Sequence, residues 1–165
     1  MPLAPSPTGG IQDRNMAPDP REVKSLARLL GTLAAEAATA EILVSPKPGL
    51  VDPQDRGNHR DMDWTTFLIS SAALAPHWEH QARRGLEGIP PSAALPSLQA
   101  RGRTMEADMF AATGGINTHK GLIFALSLWL YAAGRTLFLR IPPSPEALGT
   151  LAGAPVTGCV DRDLR

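Results

Sequence analysis

The chain has 165 residues, enough for one domain that buries roughly 70% of its unfolded surface. Its 16 basic and 16 acidic side chains give zero formal charge, which excludes the cationic excess of a nonspecific nucleic-acid binder; the single cysteine, Cys159, excludes a disulfide framework or a thiolate zinc site. Aromatics are 5% and β-branched runs are missing, so a sheet-rich fold is excluded and an all-α helical bundle is expected.

The first twenty residues carry five prolines and no apolar signal core, so residues 1–18 read as a disordered leader and 19–165 as the helical domain. Asp19 can cap a first helix, with Pro20 at its first position and Glu22 three residues after the cap. Val23, Leu26, Ala27, Leu30, Leu33, Ala34, Ala37 and Ala38 then make one apolar face, and Pro46 and Pro48 stop the helix near Val44. A loop follows to about Met62. Asp61 or Asp63 caps a second helix through Trp64, Phe67, Leu68, Ala72 and Leu74, which Pro76 kinks or restarts and Gly85 ends. A proline-rich connector, Ile89 to Pro96, precedes a third helix with Leu98, Met105, Met109 and Ala112 inside, ended by Gly114 and Gly115. The fourth runs from about Thr118 to Ala133 and stops at Gly134. Beyond Pro142, Pro143 and Pro145 the helical signal is weak.

The fourth helix is apolar all round, with Ser127 the interruption, and such a helix must be surrounded. The stretch Gly121 to Ala133 is about half the length that spans a bilayer, so a core helix of a soluble, cytoplasmic protein with no membrane partner is expected. Too few partner helices are at hand to enclose it. That predicts the N-terminal part of a larger helical domain, or a helix buried against another subunit of a homo-oligomer. Trp64, Trp78 and Trp129 are expected to pack, His77 and His80 to form a surface turn, and Cys159 to have no role.

Three polar segments sit at helix ends. In Ser45-Pro46-Lys47-Pro48-Gly49-Leu50-Val51-Asp52 two prolines hold Lys47 for an anion, or simply stop the helix. Glu41 opposes the helix macrodipole there, and a metal or Lys47 would compensate it. In Gly57-Asn58-His59-Arg60-Asp61-Met62-Asp63, His59 with Asp61 and Asp63 could bind a divalent ion or perform acid–base chemistry; the alternative is an ordinary cap and ion pair. In Thr113-Gly114-Gly115-Ile116-Asn117-Thr118-His119-Lys120-Gly121, a glycine turn opens onto a helix start. Backbone amides, the Thr118 hydroxyl and the cationic donors His119 and Lys120 would suit a polyphosphate there; the spacing is not that of a Walker A loop. The plain alternative is a glycine turn with Asn117 as a cap. Glu106, two turns before Thr113, is a candidate buried acid pointing at this loop, or a partner for Arg103.

Together SPKPGLVD, GNHRDMD followed by WTTF, and EADMFAATGGINTHKG followed by IFAL resemble the triphosphoribosyl-dephospho-CoA synthase family, from about Glu36 to the closing CVDRDLR. Asn58 stands where the family usually has Ala, and family chains continue well past Arg165. The resemblance implies an all-α enzyme that joins ATP to 3′-dephospho-CoA and releases adenine. Its product becomes the prosthetic group of the acyl carrier protein of citrate lyase or malonate decarboxylase, through a separate transferase. It further implies that Lys47, Asn117, Thr118, His119, Lys120 and the Gly114–Gly115 amides hold the triphosphate with Mg2+. Asp61, Asp63 or Glu106 would ligate the ion or act as base, and His59 would protonate adenine or bind phosphate. The rival readings are an all-α metal-dependent phosphohydrolase and a non-catalytic helical nucleotide-binding remnant.

Overall fold

The computed structural model describes residues 18–157, and among them every regular element is helical. All but Pro18 of the expected leader, and Cys159 with the CVDRDLR segment around it, lie outside these residues. Helix α1 spans Pro20–Leu43, with Asp19 Oδ1 accepting from the Arg21 amide at 2.9 Å and Pro20 in its first turn. Its buried stripe is Val23, Ala27, Gly31, Ala34, Ala38 and Ile42, whereas Leu33 and Ala37 face outward. The small residues win because α1 lies close to the next helical layer: a Cβ on Gly31 would sit 2.8 Å from the Glu79 amide nitrogen.

Helix α2 (Trp64–Leu74) passes through a 3₁₀ turn, Ala75–His77, into α3 (Trp78–Leu86). Pro76 thus shifts the hydrogen-bond pattern locally instead of breaking the rod. Helix α4 (Pro91–Ala112) starts well before the expected end of the connector and carries Pro96 inside it. One missing N–H costs the helix a bond, but Ala94 and Leu98 on either side are buried in the core and hold it. Helix α5 spans Lys120–Leu139, so Gly134 does not stop it. The glycine is spent on packing. A Cβ on Gly134 would strike the Ala82 carbonyl oxygen of α3, and one on Gly85 the Tyr131 carbonyl oxygen of α5. The two helices meet backbone to backbone there, and α5 ends instead at Arg140, in the left-handed region at φ 55°. Helix α6 (Pro145–Gly153) is capped by Ser144, whose Oγ accepts from the Ala147 amide at 3.1 Å.

The main core joins Ala34 of α1, Leu74 of α2, Trp78 and Ala82 of α3, Met105 and Met109 of α4, and Ile123 and Leu130 of α5. A second cluster packs Ala94 and Leu98 of α4 with Tyr131 and Ala132 of α5 and Ala152 of α6. By length and composition α5 could cross a membrane, with a mean hydropathy of 1.6 over its most apolar stretch; it lies instead along α3, α4 and α6. Its outer face is not enclosed: Phe124 is 58% and Trp129 46% exposed, so of the expected packing tryptophans Trp78 is buried and Trp129 is not. His77 is also no free surface group, because its Nε2 meets Asp108 Oδ2 at 2.8 Å and its side chain is only 11% exposed.

Candidate functional site

One carboxylate organises the loop after α1. Asp52 is buried; its Oδ2 accepts from the Lys47 amide at 2.8 Å and the Ser45 hydroxyl at 2.9 Å, and its Oδ1 from the Gln54 and Asp55 amides, each at 2.8 Å. The Lys47 amide, with the other donors, outweighs burial and holds the Asp52 carboxyl down at about 2. With its backbone fixed, Lys47 turns Nζ onto the end of α1, 2.9 Å from Glu41 O and 3.1 Å from Glu41 Oε1. The compensation that Glu41 calls for therefore comes from Lys47, which places positive charge at a helix C-terminus where the dipole favours it.

At the other side stands the start of α5. Ser70 of α2, fully buried, accepts a hydrogen bond from Thr118 Oγ1 at 2.7 Å and lies 2.7 Å from His119 Nδ1. The Phe67 ring meets the imidazole edge-on at 5.0 Å between centroids. Burial pushes the His119 pKa down, with Glu41 opposing, so His119 is a neutral group and not the cationic donor expected.

A cleft of about 480 Å³ between α1 and α5 joins these parts, lined among others by Ala37, Glu41, Phe67, Thr118, His119 and Leu122. The first segment reaches this cleft only through Glu41: Lys47 stands on Glu41, and Glu41 lines the cleft together with Thr118 and His119 of the third segment.

Other expected residues go elsewhere. Gly114 and Gly115 have φ of 66° and 90° and close the end of α4, with the Gly115 amide donating to Phe110 O at 2.7 Å. That amide is consumed by the helix end and is not a phosphate donor. Asn117 Oδ1 accepts from the Lys120 amide at 3.3 Å, a cap for α5. Lys120 Nζ pairs with Glu106 Oε2 at 3.4 Å, so Glu106 is a partly exposed ion-pair partner of Lys120, not of Arg103, and not a buried acid. The pair stands on the α4 side of α5, where Glu106 lines a separate groove of about 210 Å³ with Gln99, Arg103, Phe124 and Ser127.

In the second segment Asp63 is the cap of α2. Its Oδ1 accepts from the Thr65 amide at 3.0 Å and the Thr66 amide at 3.1 Å, and from both threonine hydroxyls, while Oδ2 pairs with Arg56 at 3.3 Å. The Thr65 hydroxyl and the Thr66 amide lead in holding its pKa down. Oδ1 is fully engaged in the cap and Oδ2 is held by Arg56, so a base or metal ligand here would compete with that ion pair, and the expected role is a poor fit for Asp63. His59 Nδ1 and Asp61 Oδ1 lie 3.6 Å apart on an exposed stretch, free of the helix cap. Among the described residues no three His, Cys, Asp or Glu side chains gather as a metal site.

Sequence reasoning missed Ser70 and left Asp52 without a role. For Ser70 the signal was present: adjacent serines amid the apolar residues of WTTFLISSAAL are buried only where partners exist. For Asp52 three of the four donors are amides, which carry no sequence signature.

A family model described as ATP:dephospho-CoA triphosphoribosyl transferase matches residues 27–160. The chain is 48% identical over 106 residues to a Vibrio cholerae serotype O1 protein named probable 2-(5″-triphosphoribosyl)-3′-dephosphocoenzyme-A synthase, a match covering 63% of this chain and 34% of that protein. It is 44% identical over 141 residues to an Albidiferax ferrireducens protein of the same name, covering 84% of this chain and 47% of that one. The matches thus span less than half the length of these curated relatives. No solved structure matches.

Proposed function

The chain belongs to the ATP:dephospho-CoA triphosphoribosyl transferase family, and from that premise we propose that it serves the transfer of the 5-triphosphoribosyl group of ATP to the 2′-hydroxyl of 3′-dephospho-CoA. The hydroxyl oxygen bonds to the anomeric carbon of the ATP ribose and the bond from that carbon to adenine breaks. The hydroxyl proton leaves, and adenine gains one. Such a transfer passes through an oxocarbenium-like state and needs a base, a donor to the leaving ring and charge neutralisation along the triphosphate.

The observation that carries this reading is the shared cleft of Glu41, Thr118 and His119, with Lys47 held on Glu41. Lys47, His119 and the first turn of α5 are assigned to the triphosphate, where hydrogen-bond donors and the helix dipole favour an anion; the Thr118 hydroxyl, expected there too, already donates to Ser70. Lys120 serves from the α4 side. Glu41 is the carboxylate on this cleft, so the base falls to it. Mg2+ binds through one or two carboxylates together with substrate phosphates. Asp61 fits as one such ligand, because its exposed carboxylate meets only His59 at 3.6 Å, and Asp63 does not fit. Magnesium would supply charge neutralisation at the phosphates. His59 is assigned to the leaving adenine. The reaction is set in the cytoplasm, and its product feeds the acyl carrier protein of citrate lyase or malonate decarboxylase through a separate transferase.

The test is incubation with ATP and 3′-dephospho-CoA, with chromatography of the products. Adenine released in step with the coupled product, and lost in Lys47→Ala and Asp61→Ala, supports the reading. Inorganic phosphate without adenine would point to a phosphohydrolase, and nucleotide binding without product to a non-catalytic module; either outcome overturns it.

A further inference from the structure

Thr118 Oγ1 donates to Ser70 Oγ at 2.7 Å, and the other partner of that buried hydroxyl is His119 Nδ1, also at 2.7 Å. With no other acceptor bonded to its hydrogen among the described residues, the Ser70 hydroxyl is satisfied when it donates to Nδ1. A neutral imidazole that accepts at one nitrogen carries its proton on the other. We infer that Ser70 is a positioning residue that holds His119 in the Nε2–H tautomer, making it a neutral hydrogen-bond donor to a phosphate oxygen in the α1–α5 cleft. The inference rests on the proposed function only for the identity of that acceptor.

The surroundings support it from every side. Ser70 is fully buried and His119 only 6% exposed, so water does not compete for Nδ1. From α2 come Ser70 and the Phe67 ring, and from α4 Met109, whose Sδ accepts the His119 amide at 3.2 Å. None of these carries charge. From α1 comes Glu41, the charged group that acts on the imidazole, and Lys47 is paired with it. No carboxylate meets Nδ1, as one would in a site built to hold an imidazolium. With Nδ1 engaged by Ser70, Nε2 is the ring nitrogen left for the cleft that His119 lines. A neutral donor suits a crowded triphosphate site beside Glu41, because it gives a directed hydrogen bond without drawing the carboxylate into an ion pair.

Long-range 1H–15N spectra of 15N-histidine in the free chain read this directly and need no substrate. At pH 7 the His119 signals are expected to show a protonated Nε2 and a bare, hydrogen-bonded Nδ1. In Ser70→Ala the Nδ1–H form should grow roughly tenfold relative to wild type, the scale of one lost hydrogen bond. Affinity for ATP should fall by a similar factor while Lys47→Ala leaves the tautomer unchanged. Thr118→Val, which removes the donor to Ser70 and leaves Ser70 in place, should shift the populations in the same direction by less, and it decides the matter if Ser70→Ala does not fold. A wild-type His119 protonated at Nδ1, or a tautomer unmoved in the folded variants, overturns the inference. Failure of the adenine assay alone would leave it intact and count against the proposed reaction.

Discussion

Helix α5 meets α3 on one face and α1 on another, and the two contacts are built to opposite ends. Along α3, Gly85 and Gly134 remove every side chain between the backbones, and Trp78, Ala82 and Tyr131 fill the flanks with no measurable exposure. Along α1, the N-terminal half of α5 is held off by about 480 Å³ of cleft lined in part by Glu41, Thr118 and His119. The same helix is thus fixed by its C-terminal half and left open by its first turns. A rigid seam lets the open end keep its hydrogen-bonded side chains in register for a ligand.

The seam breaks most easily. Gly134→Ala drives a methyl into the Ala82 carbonyl, and the expected cost is about 3 kcal/mol in urea unfolding, the upper part of the range for overpacked cores; a wild-type midpoint would show that the helices do not touch there. The cleft should respond in activity. His119→Ala is expected to lower adenine release about a hundredfold, the scale of losing one donor to developing charge, measured at saturating ATP. A pH series separates the loop from both. The Asp52 carboxyl is depressed from 3.8 to about 2 in the folded chain, so its contribution is complete above pH 3.8 and is lost as pH falls through 2. Asp52→Asn should remove that acid dependence and speed amide exchange at Lys47, Gln54 and Asp55, leaving the seam unchanged. The smallest effect has the reverse sign. A Cβ on Gly102 in α4 would meet Ile123 at an ordinary 3.9 Å, so Gly102→Ala should stabilise by roughly 0.5 kcal/mol through helix propensity, in contrast to the loss at Gly134.

The contrast also separates what could be read from residues alone. The cap at Asp19, the end of α1 before Pro46 and the break at Gly114–Gly115 are local, and local rules found them. Those rules failed at Pro96, which they placed in a connector before the helix, and at Gly134, where they ended one: the packing of Ala94, Leu98, Tyr131 and Ala132 in the core offsets a proline and a glycine in mid-helix. Asp61 and Asp63 look alike in sequence. Their roles divide only because Asp63 uses Oδ1 to cap the first turn of α2 and Oδ2 to hold Arg56, while Asp61 stays exposed. Glu106 and Lys120 were both legible as polar candidates, but their pairing on the α4 side was not.

By itself the sequence determined the all-helical class, the helix ends at Asp19, before Pro46 and at Gly114–Gly115, and the three polar segments that carry the family's pattern, because capping, proline geometry and apolar spacing act within a few residues. Tertiary structure decided that Lys47 rests on Glu41, that Glu41 shares a cleft with His119, and that Ser70, 49 residues from His119 along the chain, lies within hydrogen-bond distance of its Nδ1. Those facts depend on which helix faces which, and that was settled by the close approach of α3 and α5, where two distant glycines let the backbones meet.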